Sequence, residues 1–184
     1  MVRLGILMRS RPEKQRLHKL DPNVHWSRVL GYVQLEIYEE ARIELSMIPD
    51  DENWAKQKRM MEVEIFQHQE DWNSMVEVAH GLRMEFPDEV QWWIADAYAT
   101  RRKKSIQEAR EILLEALVCH YEDGTIRYNL ACYACKLGSM GECMDFLKEA
   151  AKRDERFKLM AMEDEDLESV REALRQMGWG DVIV

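Results

Sequence analysis

The sequence predicts an all-α protein, a solenoid of antiparallel helix pairs closed by a C-terminal capping helix. Three observations predict it. Ala41, Met75, Ala109 and Cys143 lie thirty-four residues apart, each three positions after Tyr38, Trp72, Ile106 or Met140. Leu45, Ala79, Leu113 and Leu147 recur in phase, as do Ile48, Leu82, Ala116 and Ala150, and on the preceding helix Val29, Val63, Ala97 and Ala131. Turn-forming residues punctuate the pattern at Pro49-Asp50-Asp51, Phe86-Pro87-Asp88 and Gly138-Ser139. A period of this length marks stacked helix-turn-helix units, none of which can bury its apolar face alone.

The elements follow in order. Asp21-Pro22 supplies an N-cap type and a proline suited to the first helical position, so helices are expected at 23–35 and 38–48. The second unit gives 54–68 and 72–85, the third 89–102 and 105–118, and the fourth 125–137 and 140–152. After residue 157 the rhythm changes. An acid near Asp164 can cap one last helix, about 164–176, which ends at Gly178. Its acid-rich first turn suits the positive end of a helix dipole. The expected layout is a basic N-terminal segment over 1–21, repeats over 22–157, and a capping helix with tail over 158–184.

Composition bounds the function. The chain has 184 residues, 46% of them hydrophobic and 33% charged, as in a soluble, helix-rich protein. It contains no apolar run of about 18 residues, so no membrane-spanning helix is expected. The net charge of −9 argues against nucleic acid as the main ligand. That charge is uneven: within 1–20 six basic residues face the single acid Glu13, a net of +5, which leaves −14 on the remainder. A basic, acid-poor start can target a chain, but Pro12 and the lack of a continuous apolar core speak against a secretory signal. The four cysteines lie in helical pattern and read as packing residues of a reducing compartment, so a cytoplasmic location is expected.

The pattern resembles the tetratricopeptide repeat, whose unit has thirty-four residues, an aromatic before its second helix, a small residue within it and a proline at its end. Tyr128-Asn129-Leu130-Ala131, Leu137-Gly138 and Phe146-Leu147-Lys148-Glu149-Ala150 carry the likeness most clearly, with Trp72, Ala79 and Pro87 in the second unit. It spans about 22–157 and implies four repeats in a right-handed superhelix. Departures are Met75 and Cys143 for the usual alanine, and Thr100 and Ala134 where a bulky aromatic is common. Leu20-Asp21-Pro22-Asn23 itself reads as a junction between repeats, so 13–20 can be the second helix of an incomplete unit.

The resemblance implies that one face of each first helix lines a concave groove. By phase, Trp26, Leu30, Met60, Met61, Ile94, Tyr98 and Tyr128 would give it an apolar wall, and Arg101, Arg102 and Lys136 a positive end able to meet an acidic segment. Trp26, Met60, Tyr98, Arg101, Tyr128 and Lys136 are the expected partner-binding residues. The alternative is that such residues pack against neighbouring helices or lie under the chain's own terminus. The Lys, Asn and Arg clamp with which some family members hold a partner's C-terminal carboxylate is missing from both three-repeat windows, which argues against a co-chaperone role.

No catalytic constellation is evident, and no enzyme activity, cofactor or metal is expected. Cys132 and Cys135 form a CxxC near Cys119, His120 and Cys143, but a structural zinc site needs four converging ligands and no second CxxC exists. The five histidines are dispersed and no Gly-rich phosphate loop occurs. The tail Asp181–Val184 alternates apolar residues as many tails do. The expected function is therefore a non-catalytic scaffold or adaptor that holds a peptide or helix of a partner protein. The rival is a structural or self-associating module, or a fragment of a longer repeat protein.

Overall fold

The computed structural model describes residues 20–180. Expectations for 1–19, and for the tail from Asp181, lie outside the described residues. Among the described residues there are ten α-helices, one 3₁₀ segment and no strand. The described residues divide into two compact units, one up to Ile48 and one from Pro49.

The first unit contains α1 (Pro22–Gln34) and α2 (Tyr38–Ser46), packed as a hairpin. Asp21 caps α1 by accepting the Asn23 N–H at 2.8 Å, and Pro22 opens the helix. Val29, Ala41, Leu45 and Ile48 are buried. His25 Nδ1 and Glu44 Oε2 tie the two helices at 2.5 Å, and Arg28 adds a second contact to Glu44 at 3.1 Å.

The second unit runs through α3 (Ala55–His68), α4 (Trp72–Glu85), α5 (Val90–Lys103), α6 (Ile106–Cys119), α7 (Gly124–Lys136) and α8 (Met140–Arg153). Each of these helices packs on the next. Asp71, Ser105 and Asp123 cap α4, α6 and α7 through their side chains, each satisfying one orphan N–H. All eight helices expected in pairs thus occur across the two units, with ends no more than two residues from those expected. Val29, Ala41, Leu45, Ile48 and their thirty-four-residue equivalents are all buried. Small residues such as Ala79, Ala97, Ala109 and Ala131 let helix axes approach closely, and their larger neighbours fill the seams. Gly124 serves the same end: a Cβ there would stand 2.8 Å from the Phe157 ring.

The C-terminal region departs from expectation. In place of one helix over 164–176 there are three elements: α9 (Arg156–Glu163), the 3₁₀ segment (Glu165–Val170) and α10 (Arg171–Gln176). Asp164 is indeed a cap, accepting the Asp166 N–H at 2.9 Å, but of the 3₁₀ segment. The spacing of the buried Leu167, Val170 and Leu174 explains the split. A step of three suits 3₁₀ geometry and a step of four suits the α-helix that follows. No periodic signal announces α9, because the thirty-four-residue recurrence stops where it begins. Gly178, at φ 76°, ends α10 as expected.

The helix-to-helix turns also keep the period. Glu36, Glu70 and Gly138 all adopt positive φ, at 59°, 54° and 81°. Each sits in a Schellman motif, in which the N–H groups of Ile37, Asp71 and Ser139 reach back to the carbonyls of Tyr32, Phe66 and Ala134 at 2.9 Å. The equivalent position in the third pair, Lys104, instead donates to the Thr100 carbonyl at 2.8 Å. Left-handed backbone is costly for Glu and cheap for Gly. Glu70→Gly is therefore expected to raise unfolding stability by about 0.5–1 kcal/mol, and Gly138→Ala to lower it by about 1 kcal/mol. Nothing lies within 4 Å of a Cβ at Gly138, so its loss would be conformational. Urea unfolding of the two variants beside wild type measures both.

Candidate functional site

Helical periodicity sets the face in question. On α5, Ile94, Tyr98, Arg101 and Arg102 follow at steps that keep them on one side, as do Tyr128, Cys132, Cys135 and Lys136 on α7. The 3₁₀ segment packs back on α7 and meets that side. Asp164 accepts the Tyr128 hydroxyl at 2.9 Å and the Cys132 thiol at 3.5 Å, while Arg171 donates to its backbone carbonyl at 3.0 Å. Both terminal nitrogens of Arg101 grip the Asp166 carboxylate, with Nη2 at 2.8 Å from Oδ1. Lys136 Nζ stands 3.9 Å from the same carboxylate, and Cys135 Sγ lies 3.1 Å from Ser169 Oγ. The acidic segment that the positive end of this face meets is the chain's own.

Packing reinforces these bonds. The Tyr128 ring stacks on Phe157 at 5.1 Å, and the Arg101 guanidinium lies over the Tyr133 ring at 5.4 Å. Leu167, Val170 and Leu174 enter the same core as α7 and α8. A bidentate arginine–carboxylate pair held over an aromatic ring is among the stronger polar contacts a partly buried surface can carry.

The electrostatics follow from this enclosure. Burial raises the Tyr128 hydroxyl and the Cys132 thiol far above their ordinary pKa values, and the nearby Asp164 carboxylate adds to both shifts. Both groups are protonated at neutral pH and act as donors. Cys143 is pushed up to about 12 by burial and by its contact with Cys135. Burial also pushes Asp166 upward, but the Arg101 hydrogen bonds and charge outweigh it and hold the carboxyl below its usual value.

Cys132 Sγ and carboxylate oxygens of Asp164 and Asp166 lie within 4.8 Å of one another. These are metal-ligand atom types, but the arrangement is satisfied by hydrogen bonds. The carboxylates already accept from Arg101, Tyr128 and the thiol, and a thiol held protonated is a poor ligand. All four cysteines are free thiols, and only Cys119 is exposed.

The six residues singled out from the sequence fall into three situations. Arg101, Tyr128 and Lys136 come together at the Asp164–Asp166 segment, with Tyr128 buried. Tyr98 is partly buried, its ring edge-on to Trp72 at 5.8 Å, with the Arg102 guanidinium over both rings at 5.2 and 5.7 Å. Met60 is 38% exposed on α3. Trp26 is partly buried on α1 and belongs to the first unit. Sequence reasoning missed Asp166 and Ser169 as groups that touch this face, and read Asp164 as a cap alone. The signal available was charge complementarity between the acid-rich run at 163–168 and the positive end of the face.

No protein-family model matches the chain, and no curated protein matches it.

The Arg101–Asp166 pair has a measurable signature. Asp166→Asn is expected to lower stability at pH 7 by about 1–3 kcal/mol, the range for losing a charged hydrogen-bond partner. Because the folded value of Asp166 is depressed, its contribution is fully present above the unfolded pKa of about 3.9 and is lost as pH falls through the folded value. The gap between wild type and variant should stay level from pH 7 to about 4 and narrow below it. Denaturant unfolding at a series of pH values tests this, and a gap that does not narrow on acidification counts against the pair.

Proposed function

We propose that the chain is a tetratricopeptide-type helical-repeat adaptor that holds a segment of a partner protein on its first-helix face, within the stretch formed by α3 and α5. Four repeats in a right-handed superhelix are part of this reading. The observation that carries it is the way the neighbouring stretch, at the end of α5 and along α7, is used. There Arg101, Tyr128 and Lys136 engage a short acidic segment of polypeptide through hydrogen bonds and charge. On α3 and α5, Met60, Glu64 and Gln91 are exposed, and the exposed Arg102 lies against Tyr98. The in-phase helix starts, buried periodic positions and repeated Schellman turns support the repeat assignment. The reading involves no catalysis, cofactor or nucleic acid, and assumes a reducing, cytoplasmic setting. Among the described residues no helix is long and apolar enough to cross a membrane.

A second reading is favoured by the same C-terminal contact. A chain whose own segment covers part of its binding face can be a self-capped structural module, whose remaining surfaces serve self-association. Mass in solution separates the two, since dimers or larger species favour the module and a monomer favours the adaptor.

For the adaptor, Tyr98→Ala is expected to weaken partner binding by about 1–2 kcal/mol, as for an aromatic anchor. A Tyr98→Ala/Arg102→Glu variant should lose a protein that wild type retains in affinity capture from native extract. Arg102 is the arginine changed, and Arg101 is kept, because Arg101 holds Asp166 and its loss would disturb the fold. Retention of the same proteins by both forms would sink the adaptor reading.

A further inference from the structure

A cavity of about 480 Å³ opens between α4, α5 and α6, and it traces to a gap in the repeat. At thirty-four-residue steps Tyr32, Phe66, Thr100 and Ala134 share one slot near the end of each first helix. Thr100 lines the cavity, with a side chain far smaller than the Tyr or Phe of the first two helix pairs. One turn earlier on α5, the buried Asp96 forms the floor. Asp96 and Thr100 lie one turn apart on one side of α5, a different side from Tyr98 and Arg101, and Lys104 follows at the helix end. The cavity is therefore independent of the face proposed for partner binding.

Charge accounting identifies what it can hold. A carboxylate as buried as Asp96 requires a partner, and Arg83 Nε supplies one at 2.8 Å, with His80 Nδ1 at 3.3 Å and Thr100 Oγ1 at 3.4 Å. Arg83 also reaches Glu115 at 3.3 Å and lies over the Trp93 ring at 4.6 Å, although its buried Nε makes no hydrogen bond of good geometry. Lys104 pairs with Glu108 at 3.1 Å. The two cations of the lining are thus neutralised within it, which leaves Glu77 and Glu111. Glu77 makes no ion pair among the described residues. Glu111 meets Arg110 at 3.7 Å, whose shorter bond of 2.5 Å goes to Glu142. Val76 and Ile112 supply an apolar wall between these acids.

We infer that this cavity binds an alkyl cation, a guanidinium or ammonium group on an aliphatic stem. The stem lies against Val76 and Ile112 and the charged tip meets Glu77 and Glu111. The volume falls within the range of small-ligand sites, about 300–1,000 Å³. Anions are disfavoured because a second anion would compete with Asp96 and Glu108 for cations already paired.

The test is isothermal titration of the full chain with two probes, agmatine and acetyl-Ala-Arg-Ala-amide. Saturable binding of either, weakened about tenfold by Glu77→Gln/Glu111→Gln, is the expected result. Agmatine alone would mark a small-molecule site, and the peptide would mark a basic side chain of a partner. Thr100→Phe, which fills the gap, should remove binding as well. The double glutamine variant changes exposed residues and keeps the test valid if Thr100→Phe does not fold. No saturable binding of either probe up to about 10 mM, or undiminished binding by the double variant, overturns the inference.

Discussion

Close contact between helices through small buried side chains is the constraint on which the rest depends. Ala41, Ala79, Ala97, Ala109, Ala116, Ala131, Cys143 and Ala150 are each fully buried. Where two helices meet across such residues, their backbones approach and the larger side chains beside them are forced into the seams. Leu82, Leu113, Leu130 and Leu147 fill those seams, each stabilising the fold by about 1.5–3 kcal/mol. The spacing of these residues, repeated every thirty-four positions, fixes where each helix begins and which side it buries. The polar faces that remain are a consequence of that geometry.

Cap and candidate site are physically the same material at the C-terminus. Asp164 ends α9, caps the 3₁₀ segment and accepts from Tyr128 and Cys132 at once. Asp166 joins that segment to α5 through Arg101. A change at either acid therefore acts on local helix geometry, on core packing around Leu167 and on access to α7 together. This coupling is why Arg101, Tyr128 and Lys136 serve the stability of the C-terminal half directly.

The third helix pair departs from the pattern twice, and the two departures share a residue. Thr100 replaces a ring and opens the cavity, and its carbonyl receives the N–H of Lys104 in the turn that lacks left-handed backbone. With Asp96 buried beneath it, this pair exchanges apolar filling for a polar cluster. A buried carboxylate is tolerated only with partners, and Arg83, His80 and Thr100 stand against Asp96.

By itself, the sequence determined the eight paired helices, the Asp21 cap and the sides they bury, because these depend on local periodicity and on turn chemistry within a few residues. The thirty-four-residue recurrence made Val29, Met75, Leu113 and Ala150 legible as core. Only the tertiary structure decided what lies against the exposed sides. That Arg101 would meet Asp166, sixty-five residues later, required α9 to return the chain onto α7. The periodicity ended before α9, so no local signal announced that return. The cavity was half visible in Thr100, but its charge balance depended on Glu77, Arg83 and Glu111 converging from three helices. Long-range pairing of this kind is set by packing and charge summed over the whole unit, and no spacing along the chain encodes it.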